Sequence, residues 1–142
     1  MERKQLALSW GGRVVTDDGW TGRLRGAYLA PRSQQIAYVL IRRGVFGRPE
    51  PVKLENARQE ADGTLTLPPL KQDNATPARG SVPFTARTLV HCSGGDSLPL
   101  CGLVVDRLRL GVEYLLVGTG GDARAIPMRQ VDKLASGSPS VA

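Results

Sequence analysis

Few residues in this chain have the types and spacing for chemistry. The single His91 is followed directly by Cys92, and Cys101 comes nine positions later, in "HCSGGDSLPLC". A His/Cys/Cys set offers donors for zinc, but a structural zinc centre takes four ligands and commonly a tight Cys-x-x-Cys pair, which is absent. A Cys-His nucleophile pair fares no better, because strand alternation sends neighbouring side chains to opposite faces. Cys92 and Cys101 flank a predicted hairpin, so they stand either as small apolar thiols or as a cross-strand disulfide, and a reducing cytoplasm favours the thiols. Asp17 and Asp18 are adjacent carboxylates in "TDDGWTG". Next to a Gly, such a pair bonds the backbone of its own turn more readily than it performs general acid/base work. The turn predicts positive φ at Gly19 and a backbone N–H donated to Asp17 or Asp18. Gly118, Gly120 and Gly121 in "VGTGGDA" lack the Lys-Ser/Thr and the following helix of a phosphate loop. The chain is therefore expected to be no enzyme and to carry no catalytic residues, metal or cofactor.

The strongest binding candidate is "IRRGVFGRPEP", residues 41–51, in which Arg42, Arg43 and Arg48 bracket Phe46 between Gly44 and Gly47. An aromatic at a loop tip among guanidinium forks suits protein docking or stacking on a nucleic acid. The competing assignment folds Phe46 down as a cap on the core and leaves the arginines in solvent. Trp10 and Trp20 are expected to pack rather than to bind ligand.

These residues must be positioned by strands. The chain has 142 residues, 41% of them hydrophobic and 23% charged, with 17 Gly and 10 Pro, a balance that favours many tight turns over long helices. Its net charge of +6 arises from 19 basic and 13 acidic residues of mixed order, with no block of like charge. Such a balance argues solubility and non-specific attraction rather than a binding site. The start "MERKQLALSWGG" has neither a long apolar stretch nor a small-residue cleavage site, and no apolar run is long enough to span a bilayer. No membrane insertion and a cytoplasmic location are expected.

Two segments share one plan. "RVVTDDGWTGRLRGAYLAPRSQQIAYVLIRRGVFGRPEPVKLENARQ" is answered by "RTLVHCSGGDSLPLCGLVVDRLRLGVEYLLVGTGGDARAIPMRQVDK". Gly22 answers Gly102, Tyr38 answers Tyr114, and Val52 and Leu54 answer Ile126 and Met128. Insertions fall where turns belong, as a duplicated β unit tolerates. The boundaries are a first unit at 8–68, a linker at 69–80 rich in Pro and Asn, a second unit at 81–135, and a mobile tail at 136–142.

The order "VVTDDG…GRLRGAYL…IAYVLIR…EPVKLENA…DGTLTL" resembles the PRC-barrel family, over residues 10–67 most fully and over 85–135 more weakly. The resemblance implies an all-β protein of two tandem small PRC-barrel-like units packed with pseudo-two-fold symmetry. For function it implies an adaptor or assembly module that docks a macromolecular partner, chiefly protein. The alternative is an RNA- or ribosome-associated maturation factor using a basic surface. A homo-oligomer is compatible with either.

Overall fold

A computed structural model describes residues 5–30, 35–44, 47–68, 81–91, 97–118, 124–128, 131–133 and 140–141. Among them there is no α-helix, and no helix long and apolar enough to cross a membrane. The all-β class expected from the Gly and Pro content is what the chain forms. Two seven-stranded sheets account for it. The first runs β5(Glu50–Lys53), β4(Ile36–Arg42), β3(Thr21–Leu29), β2(Arg13–Thr16), β7(Leu65–Leu67), β6(Arg58–Gln59), with β8(Val82–Thr85) paired to β3. The second runs β12(Arg124–Pro127), β11(Val112–Val117), β10(Ser97–Asp106), β9(Leu89–His91), β14(Ser140–Val141), β13(Val131–Lys133), with β1(Gln5–Ser9) paired to β10. Among the described residues neither path returns to its first strand, so the strand pairing gives two sheets where closed barrels were expected.

The strand order of one sheet is that of the other with every number raised by seven, and the parallel pair β2·β7 is matched by the parallel pair β9·β14. The remaining strand of each sheet is borrowed. β1, the first described strand, lies antiparallel to β10, with Leu6 opposite Val105 and Leu8 opposite Leu103. β8, which precedes β9 in sequence, lies antiparallel to β3, with Phe84 opposite Ala27. Sheet membership thus crosses the boundaries drawn along the sequence: residues 5–9 belong with the later strands and 82–85 with the earlier ones. The linker at 69–80 lies outside the described residues. In the stretch read as a mobile tail, Ser140 and Val141 pair with β13 and β9.

The exchange is driven by side chains that alternate inward. β1 shows two fully buried leucines between exposed neighbours, Leu6 and Leu8, and β8 contributes Phe84, also fully buried. They join one core with Leu24, Val39 and Ile41 from the first sheet and Leu103, Leu115 and Val117 from the second. Burying each such side chain contributes about 1.5–3 kcal/mol, and the borrowed strands supply three of the largest.

Close approach of a borrowed strand needs a missing side chain. A Cβ at Gly26 would stand 2.6 Å from the Phe84 carbonyl oxygen, and one at Gly102 would run into the Leu8 carbonyl oxygen. The two glycines also share a register, Gly26 opposite Leu40 and Gly102 opposite Leu116. This corrects the sequence match of Gly102 to Gly22. Gly22 instead lies opposite Val14, the place that Leu98 takes opposite Val90. The match of Tyr38 to Tyr114 fits the register: Tyr38 lies opposite Tyr28 and Lys53, and Tyr114 opposite Val104 and Pro127.

A second link joins the sheets at their β3–β4 and β10–β11 connections. Gln35 bridges Gly111, the Ile36 N–H donates to the Leu110 carbonyl at 2.8 Å, and the Gln35 amide donates to the Arg109 carbonyl at 2.9 Å. Leu110 has φ of 60°, unusual for a residue with a Cβ. It is held there by its own N–H bond to the Asp106 carbonyl at 2.7 Å. The Asp106 carboxylate accepts N–H bonds from Leu108 at 2.8 Å and Arg109 at 3.1 Å. The Arg109 N–H first, and then that of Leu108, hold this carboxyl below the usual carboxylate range.

Two predictions follow from these contacts. Gly102→Ala forces β1 away from β10 and costs about 1–3 kcal/mol, the usual range for overpacking. Gly111→Ala, with nothing within 4 Å of its Cβ and no positive φ, stays within about 0.5 kcal/mol of wild type when both variants are unfolded in urea. For Asp106, a lowered folded pKa means stability that is present above the unfolded value and lost as pH falls through the folded one. Asp106→Asn, which cannot titrate, should therefore lose less melting temperature than wild type on acidification below the ordinary carboxylate range.

Candidate functional site

The Asp-Gly corner is a hairpin. The Gly19 N–H donates to the Thr16 carbonyl at 3.0 Å, the Thr16 N–H donates to the Trp20 carbonyl at 2.9 Å, and Gly19 has φ of +90°. The same arrangement recurs in "EADGT", where the Gly63 N–H donates to the Glu60 carbonyl at 3.0 Å and Gly63 has φ of +92°. One expectation needs correction. Among the hydrogen bonds described, neither Asp17 nor Asp18 accepts a backbone N–H. The Thr16 hydroxyl takes that part: it accepts the Trp20 N–H at 3.1 Å and donates to the Asp18 carboxylate. Thr16 is buried at the turn's first position, so its hydroxyl reaches the N–H before either carboxylate can. Asp17 turns outward to an ion pair with Arg58 at 3.1 Å. The two carboxylates thus serve different partners and do not converge.

His91 and Cys101 are also kept apart in role. His91 is exposed on β9, with its Nδ1 2.8 Å from the Ser97 hydroxyl directly across on β10. Cys101 is half-buried, carries a free thiol, and donates to the Leu116 carbonyl at 3.2 Å, and burial pushes that thiol's pKa up. Cys92 lies outside the described residues. Among those described, no three His, Cys, Asp or Glu side chains group as metal ligands. Trp10 and Trp20 are partly buried against the core.

The segment after β4 is where the arginines gather, but they do different things. The Arg43 guanidinium lies over the Trp20 ring, 4.7 Å from its centroid, and makes an ion pair with Glu50 at 3.1 Å. It is held at its inner side while half its side chain stays in solvent, a geometry that combines cation–π attraction with a charge-assisted bond. The chain turns away at Gly44, where φ is +68°, and returns past Gly47, a position with no room for a Cβ against the Arg43 carbonyl. Arg48 is exposed. Phe46 lies outside the described residues.

Arg42, the last residue of β4, belongs to another grouping. It lies directly opposite Arg23 on β3, and Arg23 lies directly opposite Arg13 on β2. Three arginines therefore form one row across three adjacent strands. Arg13 and Arg23 are exposed, whereas Arg42 is half-buried with its Nε shielded from solvent and without a hydrogen-bond partner. Arg13 and Arg23 were not singled out from the sequence, since they are ten residues apart there and face each other only through the β2–β3 hairpin. The alternation "RVV" and "GRL" beside a predicted turn carried the signal, had the register been counted back from Gly19.

No protein-family model and no curated protein matches the chain. The likeness to PRC barrels accordingly rests on the residue order quoted above.

The hairpin assignment makes a comparison possible. Gly19→Ala meets no neighbour within 4 Å, so its cost is backbone strain alone, about 1–2 kcal/mol for a Cβ in left-handed backbone. Asp17→Ala removes an exposed ion pair worth about 0–1 kcal/mol. Chemical denaturation of the two variants should show the glycine change as the larger loss.

Proposed function

We propose that the chain is a non-enzymatic adaptor or assembly module built from two PRC-barrel-like units with approximate two-fold symmetry, and that it docks a protein partner in the cytoplasm through the segment following β4. The paired strand order supports the architectural part, since each sheet repeats the other and completes it with a borrowed strand. The observation that carries the functional part is Arg43, held over Trp20 by Glu50 and still half exposed, beside exposed Arg48. Arg and Trp dominate the binding energy of protein interfaces, and a pre-oriented guanidinium loses less freedom on docking than a free one. An RNA-associated role is the second reading, favoured by the arginine row across β2, β3 and β4.

Affinity capture from native extract, with and without nuclease, tests the first reading. Wild type should retain the same protein after nuclease, and the Arg43→Ala/Arg48→Ala variant should lose it while its melting temperature stays within a few degrees. Retention that disappears with nuclease, or that survives the double substitution, overturns the docking assignment.

A further inference from the structure

The outer faces of the two sheets differ in a way the shared strand order does not require. In the second sheet Leu8 of β1, Val90 of β9, Leu103 of β10 and Leu115 of β11 are buried in the core, and Ile126 of β12 packs against it. Residues that alternate with them along each strand therefore face outward. On an antiparallel sheet open to water such positions are ordinarily polar, and in the first sheet several are cationic. Where Arg13 lies opposite Arg23 in the first sheet, Leu89 lies opposite Pro99 in the second, and Gly118, whose N–H donates to the Pro99 carbonyl at 3.0 Å, takes the place of Arg42. Arg25 falls at the irregularity between Leu24 and Gly26, and Cys101 at the matching one between Leu100 and Gly102. Lys53 lies opposite Tyr38, and Pro127 opposite Tyr114. Each of these cations has an uncharged counterpart. Between those positions Leu116 reaches over Gly102, with Ala125 opposite it, and Val104 lies between Ala7 and Tyr114. Among the described residues, charge or a titrating ring returns on this face only at its ends, at Asp106 and Glu113 on one side and His91 on the other, while Arg124 lies opposite core-facing Val117. The face is open to solvent: Leu89 is 43% exposed, and Ala7 and Ala125 are exposed.

We propose that this outer face of the second sheet is the contact between two copies of the chain, packed sheet on sheet about a two-fold axis. Of the two outer faces it alone can meet itself without conflict. The first face laid on itself sets arginines against arginines, and laid on the second it strips water from cations that gain no partner. A foreign partner is selected by charges at fixed places, and the middle of this face offers none. What it offers is flat apolar area, which a second copy supplies in kind, and two sheets pack face to face about 10 Å apart. Strands about 4.8 Å apart, and same-face residues about 6.8 Å apart along them, make the patch about 20 Å on a side. Two copies then bury about 800–1,000 Å², the low end for a specific contact, so association falls in the micromolar range or weaker. The same patch serves both copies, so assembly closes at two. The cationic face of each copy stays in water, across the shared core from the contact. This goes beyond the docking of a protein partner and uses no residue of the segment following β4.

Sedimentation equilibrium of the full chain, at loadings from about 1 μM to about 1 mM, covers that range of association. The mass should rise from one chain to two and stop there. Leu89→Glu and Ala125→Glu, exposed positions on different strands, should each weaken association at least tenfold, with a melting temperature at the lowest loading within a few degrees of wild type. Arg23→Gln on the first face, and Arg43→Ala/Arg48→Ala in the docking segment, should leave the association constant within twofold, which keeps this contact separate from the docking proposal. Hydroxyl-radical footprinting needs no substitution: oxidation of Tyr114 should fall as loading rises, while that of Tyr38, its equivalent on the first face, stays constant. A chain that remains single at the highest loading, a mass that climbs past two chains, a dimer that persists in either folded glutamate variant or is lost with Arg23→Gln, or Tyr114 oxidation that does not change with loading would each overturn the contact.

Discussion

The close passage of each borrowed strand over a glycine is the constraint on which the rest of the molecule depends. β1 can lie against β10 only because Gly102 leaves the Leu8 carbonyl unobstructed, and β8 against β3 only because Gly26 does the same for the Phe84 carbonyl. Once those approaches are allowed, Leu6, Leu8 and Phe84 enter the common core, and neither sheet is complete without a strand from the other part of the chain. The long strands β3 and β10 then carry two duties each. The first half of each pairs with its own hairpin partner, β2 or β9, and the second half with the borrowed strand.

That division of β3 also sets where charge can sit. Its borrowed-strand half carries no charge: Gly26, Ala27 and Leu29 are buried, and Tyr28 between them is half-buried. Its hairpin half is open on the outer face, and there Arg23 meets Arg13 and Arg42. In β10 the corresponding half holds Pro99 and Leu98 instead. The two sheets share backbone hydrogen bonding yet present opposite surfaces, which is what the period of two along a strand permits: inward positions answer to the core, and outward positions are free to differ.

Turn chemistry shows the same separation of demand and means. The Thr16–Trp20 and Glu60–Thr64 corners both close on a glycine at positive φ. The first satisfies its N–H with a threonine hydroxyl, whereas in the second the Asp62 carboxylate accepts the Thr64 N–H at 3.0 Å. The Asp62 pKa is lowered accordingly, by the Thr64 N–H first and then its side chain. Either group serves, because the turn requires an acceptor of suitable reach and not a particular residue.

The sequence by itself determined what depends on near neighbours. Alternation of apolar residues and abundant Gly and Pro implied an all-β chain, Asp-Gly implied the corner at Gly19, and the internal repeat implied strands of matching order around Tyr38 and Tyr114. It also drew attention to Arg42, Arg43 and Arg48. Only the tertiary structure decided what depends on register and on strands far apart in the chain. Gly102 corresponds to Gly26 rather than Gly22 because a carbonyl of a distant strand crosses there. Asp18 bonds a hydroxyl because Thr16 is buried beside it. Arg42 leaves the loop cluster to join Arg23 and Arg13 because the hydrogen-bond register of β2, β3 and β4 sets those three in line. A shift of one residue in pairing would turn these arginines to the opposite face; the local turn at Gly19 fixes the register of β2 on β3, but that of β4 on β3 changes at the irregularity between Leu24 and Gly26 and is settled only in the folded sheet.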